Sequence, residues 1–135
     1  WYAAPPAEDA GLGVALDHAA RLLRPGSRLI VLADPRSVAD LPARRWPALA
    51  QHNEVIVLLL SDPLENAPPK DLLPFAAGQR RIAAQRQRWR DEFVAPVETA
   101  LQRLPSTGVR AQALSTDARS DAWLPLLGRA QARVA

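Results

Sequence analysis

Three short apolar runs, each followed by an aspartate, constrain the fold of this chain more than any other feature of its sequence. The first two are almost uninterrupted and rich in β-branched residues, which is typical of strands buried on both faces of a parallel sheet. If the strands are parallel, their terminal carboxylates share the edge at which open α/β sheets bind ligands. The runs and their aspartates are residues 28–33 with Asp34, 54–60 with Asp62, and 109–114 with Asp117.

Four helices are predicted around these strands, because apolar residues recur there at the spacing of one helix face. Pro25-Gly26 ends the first, Ser37 is predicted to cap the second, and Pro96 is predicted to kink the third. Pro42 and Pro47 should make the second helix irregular, since each removes an amide donor. The predicted helices cover residues 12–23, 37–51, 85–104 and 119–133, and the last is expected to bury Trp123, Leu127 and Ala130.

The sequence indicates the structure of the remaining segments less clearly. Residues 1–10 contain Pro5-Pro6 and acidic residues, and they predict a loose lead-in. Short apolar pieces at 72–76 and 81–84, separated by Ala77-Gly78, predict a small hairpin. The four tryptophans are expected to pack helices against the sheet.

Strands alternating with helices predict an α/β fold, a three-layer Rossmann-like parallel sheet. At 135 residues and 48% hydrophobic composition, the chain is expected to form one domain over residues 1–135. It lacks an initiator methionine, so we interpret it as a piece of a longer protein.

Composition excludes several classes of protein. The absence of cysteine excludes disulfides, thiolate metal sites and cysteine nucleophiles, and it favours a reducing compartment. No apolar run of membrane-spanning length and no leader occurs, so we expect a cytoplasmic location, with any membrane anchor of the parent protein lying upstream. A net charge of +3, carried by arginines beside the single Lys70, is too modest to predict nucleic-acid binding.

The sequence contains none of the short motifs that mark common enzyme classes. Glycine-rich phosphate loops, nucleophile elbows and H-E-x-x-H are all absent. His18 and His52 lack a serine or carboxylate at triad-like spacing, so no catalytic role is predicted for them. An arginine cluster is interpreted as a solvated helix face. Its members are Arg80, Arg81, Arg86, Arg88 and Arg90.

Two interpretations of the three aspartates remain open. Carboxylate oxygens gathered at a sheet edge suit Mg²⁺. Aspartate before proline, as at Asp34 and Asp62, also forms Asx-type turns, and Asp117 is placed to cap a helix. The turn interpretation is favoured for Asp62 and Asp117, whereas Asp34 remains the candidate metal ligand.

The pieces R-P-G-S-R-L-I-V-L-A-D, H-N-E-V-I-V-L-L-L-S-D-P-L-E-N-A-P-P and G-V-R-A-Q-A-L-S-T-D occur here in an order that resembles a known family. Over residues 12–129 the chain is similar to the C-terminal half of the bacterial domain-of-unknown-function family fifty-eight, whose members have a von Willebrand factor A-like domain. The resemblance implies a metal-ion-dependent adhesion site and a MoxR-type AAA+ ATPase as partner. It also implies a chaperone-like role in maturing or assembling other protein complexes, on a client protein that the sequence does not name.

The family binds Mg²⁺ mainly through an Asp-x-Ser-x-Ser motif, a later threonine and an aspartate that Asp34 matches. That motif is absent here, and no threonine precedes Asp34, because the first is Thr99. One carboxylate holds Mg²⁺ poorly in water, so this chain is predicted to bind no metal tightly by itself, and Asp34 to act only beside a missing N-terminal half.

Without that half, the strand at 28–33 presents an apolar edge. The chain is expected to form a homodimer through that edge or through exposed helix-facing surface, or to aggregate. Two classes of function therefore remain. The first is a non-enzymatic protein-protein interaction domain. The alternative is a Mg²⁺-dependent phosphoryl-transfer or hydrolytic α/β enzyme using Asp34, Asp62 and Asp117.

Overall fold

A computed structural model describes residues 11–66 and 79–128, with side chains described at 11–65 and 84–127. The described chain is mixed α/β, with three parallel strands in the order β1-β2-β3 flanked by helices. The strands are β1 (Arg28–Ala33), β2 (Glu54–Ser61) and β3 (Arg110–Ser115). The helices are α1 (Gly11–Leu22), α2 (Pro35–Ala39), α3 (Arg45–Ala50), α4 (Pro63–Asn66), α5 (Gln79–Trp89), α6 (Ala95–Arg103) and α7 (Pro125–Gly128). The coarse fold class is confirmed, and each strand lies within one residue of its predicted bounds.

One hydrophobic core lies between the helices and one face of the sheet. Because side chains alternate along a strand, Val55, Val57 and Leu59 of β2 point to the same face. They join the core that also contains the buried residues of α1, α2, α3 and α6. Both crossovers therefore lie on the same face, as connections of one hand require when strands follow in sequence order. The core helix residues are Leu16, Val38, Trp46, Leu49, Ala50 and Ala100.

The opposite face of the sheet carries Ile56 and Leu58, which are also fully buried. Beside them, two side chains of β3 reach the segment that follows β3. The guanidinium of Arg110 donates to the carbonyl of Leu126, and the amide of Gln112 donates to that of Ala122. Residues 116–128, with α7, thus cover part of this face.

The central strand of the sheet is β2, which pairs with β1 on one side and with β3 on the other. Residues 55–59 of β2 are at most 2% exposed, as expected for a strand with neighbours on both sides. In β1 only Val31 is buried, and Leu32 is 61% exposed. The prediction that β1 is buried on both faces is therefore wrong for the described residues, within which its outer edge pairs with no strand. An apolar run alone does not tell an edge strand from a central one.

The predicted helix at 37–51 is two helices, α2 and α3, separated by a turn around Pro42. Pro42 has no amide hydrogen, so the continuous ladder of a helix cannot pass through it. Pro35 and Pro47 are tolerated because each lies in the first turn of its helix, where amides have no partner inside the helix. The cap of α2 is Asp34, not the predicted Ser37, because the helix begins two residues earlier.

The hairpin predicted for 72–84 is wrong in its second half, because residues 81–84 lie inside α5. Arginine, glutamine and alanine dominate this segment and favour helix over strand. Residues 72–78 lie outside the described residues.

The long helix predicted at 85–104 exists as α5 and α6 joined by a π-helical turn at Arg90–Val94. In this turn the Ala95 amide bonds to Arg90 instead of the residue four back. The turn ends at Val94, two residues before Pro96, whose ring would crowd a regular ladder.

The predicted helix at 119–133 is wrong over its first half. Residues 116–124 form turns with hydrogen bonds between residues three apart, as from Ala122 to Arg119, and α7 begins only at Pro125. Pro125 explains this boundary, because proline disfavours helical dihedrals at the preceding Leu124. Trp123 and Leu127 are half-buried, whereas Ala130 and the lead-in at 1–10 lie outside the described residues.

Candidate functional site

Asp34, Asp62 and Asp117 all lie at the carboxyl edge of the sheet, but at different levels along the strand direction. Ser61 pairs with Ser115, so β2 and β3 end at the same level, whereas Ala33 pairs with Leu59 and β1 ends two residues lower. Asp34 is level with Leu60, two residues short of Asp62, and this places it roughly 7 Å lower along the strand direction. All three aspartates are exposed.

Asp34 is a helix cap. Its Oδ1 atom accepts the amide hydrogen of Arg36 at 2.7 Å and that of Ser37 at 3.4 Å. The backbone of Asp34 is extended, and Pro35 begins α2 directly after it. A carboxylate here satisfies amides that have no partner inside the helix and opposes the positive end of the helix dipole.

Asp62 and Glu65 form a reciprocal capping box at α4. The amide of Leu64 donates to Asp62 Oδ1 at 2.8 Å, while the amide of Asp62 donates to Glu65 Oε2 at 2.9 Å. The indole of Trp89 donates to the carbonyl of Glu65 at 2.9 Å, which ties α5 to this edge. The D-P-L-E piece of the sequence thus has a local structural role.

Asp117 accepts a hydrogen bond from the hydroxyl of Ser115 in the turn that follows β3. The same turn is closed by the amide of Ala118, which donates to the carbonyl of Ser115 at 2.9 Å. Just before it, the Thr116 amide donates to the Ser61 carbonyl at 2.9 Å, so β2 and β3 stay paired up to the edge. The turn interpretation holds for all three aspartates, although no helix begins at Asp117.

A magnesium site needs several oxygen ligands at about 2.1 Å from one point. Among residues 11–66 and 79–128, no group of three or more histidine, cysteine, aspartate or glutamate side chains is close enough to hold an ion. Asp34 offers one carboxylate, and one of its oxygens already accepts two amide hydrogens. The described residues therefore do not fit Mg²⁺ without further ligands, and Asp34 as a metal ligand beside an N-terminal half stays a prediction.

The other candidate side chains lie apart from this edge or face water. His18 and His52 are exposed, at the middle of α1 and beside the start of β2. Arg86, Arg88 and Arg90 are exposed along α5 and the π-helical turn, as predicted for a solvated helix face. The side chains of the other two arginines of the cluster lie outside those described.

Sequence reasoning missed a charge cluster at the opposite end of the sheet. The Glu54 carboxylate pairs with Arg28 of β1 and with Arg110 of β3, so one acid joins all three strands. Burial, with a smaller effect from the Arg28 charge, lowers the pKa of Arg110. The available signal was that three apolar strands begin with charges of alternating sign, which places opposite charges on adjacent strands.

No protein-family model matches this chain, and neither a curated protein nor a solved structure matches it. The H-N-E-V piece of the sequence nevertheless has a defined local role in the structure. Asn53 donates to the carbonyl of Leu49 at 3.1 Å at the end of α3, and Glu54 follows as the centre of the charge cluster. None of the helices in the described ranges has the length and apolar character that a membrane span requires.

Proposed function

We propose that this chain is a non-enzymatic protein-protein interaction domain, built like part of a von Willebrand factor A-like domain. Its partner is a MoxR-type AAA+ ATPase, with which it works in the maturation or assembly of protein complexes. The resemblance over residues 12–129 supports this partner, and the parallel sheet in sequence order is compatible with this fold.

The observation that carries the proposal is an exposed carboxylate after each of the three strands that the structure describes, all on one edge. Local hydrogen bonds fix two of these carboxylates as helix caps, so their charges have defined positions. Arg36, the nearest cation in sequence to Asp34, lies 3.8 Å from Glu92, so an acid of the π-helical turn faces its charge. An ordered row of negative charge suits a partner surface rich in lysine or arginine and steers its approach.

The proposal is tested by binding of the MoxR-type ATPase encoded in the same genome, measured by biolayer interferometry with and without Mg²⁺-ATP. The test variant combines Asp34→Asn, Asp62→Asn and Asp117→Asn. Asparagine caps helices as well as aspartate does, so this variant keeps the caps and loses only the charges. We expect its affinity to fall at least about tenfold, equivalent to ~1.4 kcal/mol.

A matched control carries the same change of charge at exposed carboxylates that do not follow a strand. Its substitutions are Asp17→Asn, Glu98→Gln and Asp121→Asn, at exposed carboxylates that form surface ion pairs. The control should bind the ATPase like the unchanged chain. Equal losses in both triple variants would contradict the carboxyl edge as the binding surface, and no ATPase binding at all would contradict the proposed partner. Mg²⁺-dependent phosphoester hydrolysis that disappears in Asp34→Ala would contradict a non-enzymatic function.

A further inference from the structure

An apolar groove lies between the two crossover connections of the sheet. One wall is formed by α2, the turn around Pro42 and Trp46 of α3. The other wall is formed by the second half of α6 and the short turn that follows it. Both walls therefore belong to segments that run between β1 and β3, and the outer edge of β1 is not one of them.

The floor of the groove is apolar and buried. It contains Val38, Trp46, Ala100 and Leu104, each at most 3% exposed. Their packing leaves a cavity of about 20 Å³. Since about 10–15 Å³ holds one water-sized group, the cavity has room for one or two methyl groups but not for a ring. Apolar cavities do not hold ordered water, so an aliphatic group enters without displacing any.

The mouth of the groove carries an arginine that no acid neutralises. Arg103, in the last turn of α6, lines the groove and is exposed. Among the described residues its guanidinium forms no ion pair and no hydrogen bond, whereas that of Arg45 on α3 is bound to Asp17. A free cation at the mouth favours a negative group beside whatever enters the groove.

We propose that the groove binds a partner protein through one leucine, isoleucine or valine side chain that has an aspartate or glutamate beside it in sequence. The aliphatic end fills the cavity, and the neighbouring carboxylate pairs with Arg103. Leu41, half-buried in the wall of the groove, adds apolar contact.

The size of the cavity favours a segment of protein over a small molecule. A free branched carboxylate would place only a few atoms in the groove, and binding of so few atoms is weak. A segment of chain adds contacts along α2 and α6 on either side of the anchoring side chain. This surface is separate from the carboxyl edge, because none of Asp34, Asp62 and Asp117 lines the groove, so either proposal can fail alone.

Three tripeptides with blocked ends test the two parts of the proposal by NMR titration of the ¹⁵N-labelled chain. The probe is acetyl-Glu-Leu-Glu-amide. A second peptide replaces its leucine by alanine, and a third replaces both glutamates by lysine. We expect the probe to shift the indole signal of Trp46 and the amide signals of Leu41 and Thr107, with a dissociation constant near ~1 mM. The alanine peptide should bind at least about tenfold more weakly, because it leaves the cavity empty.

Variants of the chain test the same contacts from the other side. Arg103→Gln should weaken the probe about threefold, as expected for the loss of an exposed ion pair, and should bind the probe and the lysine peptide alike. Arg88→Gln makes the same change of charge at an exposed arginine of α5 and should bind the probe like the unchanged chain. Ala39→Leu fills the groove from α2 with a good helix former, so it should abolish binding and leave the circular dichroism spectrum unchanged.

Several results would overturn the proposal. The first is an unchanged Trp46 indole signal at about 10 mM probe, a concentration at which a complex of this affinity is nearly saturated. Equal binding of the alanine peptide or of the lysine peptide to the unchanged chain would also do so, as would equal affinities of the Arg103→Gln and Arg88→Gln variants. Isovalerate that binds as tightly as the probe would show that the groove takes a small carboxylate instead of a protein segment.

Discussion

Replacing Glu54 by glutamine should destabilise the sheet more than removing any exposed acid of the chain. Glu54 faces Arg28 and Arg110, and the three side chains are only 29%, 40% and 26% exposed. An exposed ion pair contributes about 0–1 kcal/mol, whereas breaking a fully buried pair costs about 3–5 kcal/mol. Glu54→Gln breaks two partly shielded ion pairs and leaves two arginines facing each other. We therefore expect it to lower the free energy of unfolding by roughly 2 kcal/mol. For a chain of this size that is about 8 °C in melting temperature.

Urea unfolding followed by tryptophan fluorescence measures this cost, with Asp17→Asn as the control. Asp17 pairs with Arg45 at 2.8 Å, but its side chain is 57% exposed, so its loss should cost less than about 1 kcal/mol. In an Arg110→Leu background the cost of Glu54→Gln should fall below about 1 kcal/mol, because one of the two cations is gone. Equal costs for Glu54→Gln and Asp17→Asn, or an unchanged cost in the Arg110→Leu background, would show that the charge cluster does not stabilise the sheet.

Three further substitutions test local structure, each measured by urea unfolding. Asp62→Ala should cost about 1 kcal/mol, and Asp62→Asn only a few tenths, because asparagine keeps the capping hydrogen bond. Gly108→Ala should cost about 1 kcal/mol, since Gly108 has a φ of 80° that favours glycine, while Gly13→Ala, at an ordinary φ, is the control. Leu59→Ala, at a fully buried position of β2, should cost about 2–5 kcal/mol, with Leu124→Ala, 48% exposed, costing far less.

The strands could be predicted from sequence because a buried parallel strand has a continuous apolar pattern that few other structures share. Which of the strands lies in the centre of the sheet could not be predicted from sequence. Residues 29–33 and 55–59 are both apolar, and only pairing decides that the second lies in the centre. The predicted helix ends were wrong where a proline interrupted the helical spacing of apolar residues. Pro42 divided one predicted helix, and Pro125 delayed the start of another by six residues.

The candidate site was predicted in its residues but not in its geometry. Strand ends carry Asp34 and Asp62 in the sequence, yet only the register shows that they lie two residues apart in level. Their capping roles follow from the Asp-Pro pairs and from Glu65, three residues after Asp62. The charge cluster around Glu54 was missed because its three members are distant in sequence and meet only through strand pairing.

Hydrogen exchange of the chain with and without the MoxR-type ATPase shows whether the carboxyl edge of the sheet is the surface that binds this partner. We expect slower exchange at the carboxyl edge of the sheet, in amides near residues 34–38, 61–65 and 115–118, because these flank the three exposed carboxylates. The triple variant at Asp34, Asp62 and Asp117 should lose that protection. Protection confined to α1 or the start of the strands, or unchanged exchange throughout at saturating ATPase, would contradict the claim that this edge binds the partner.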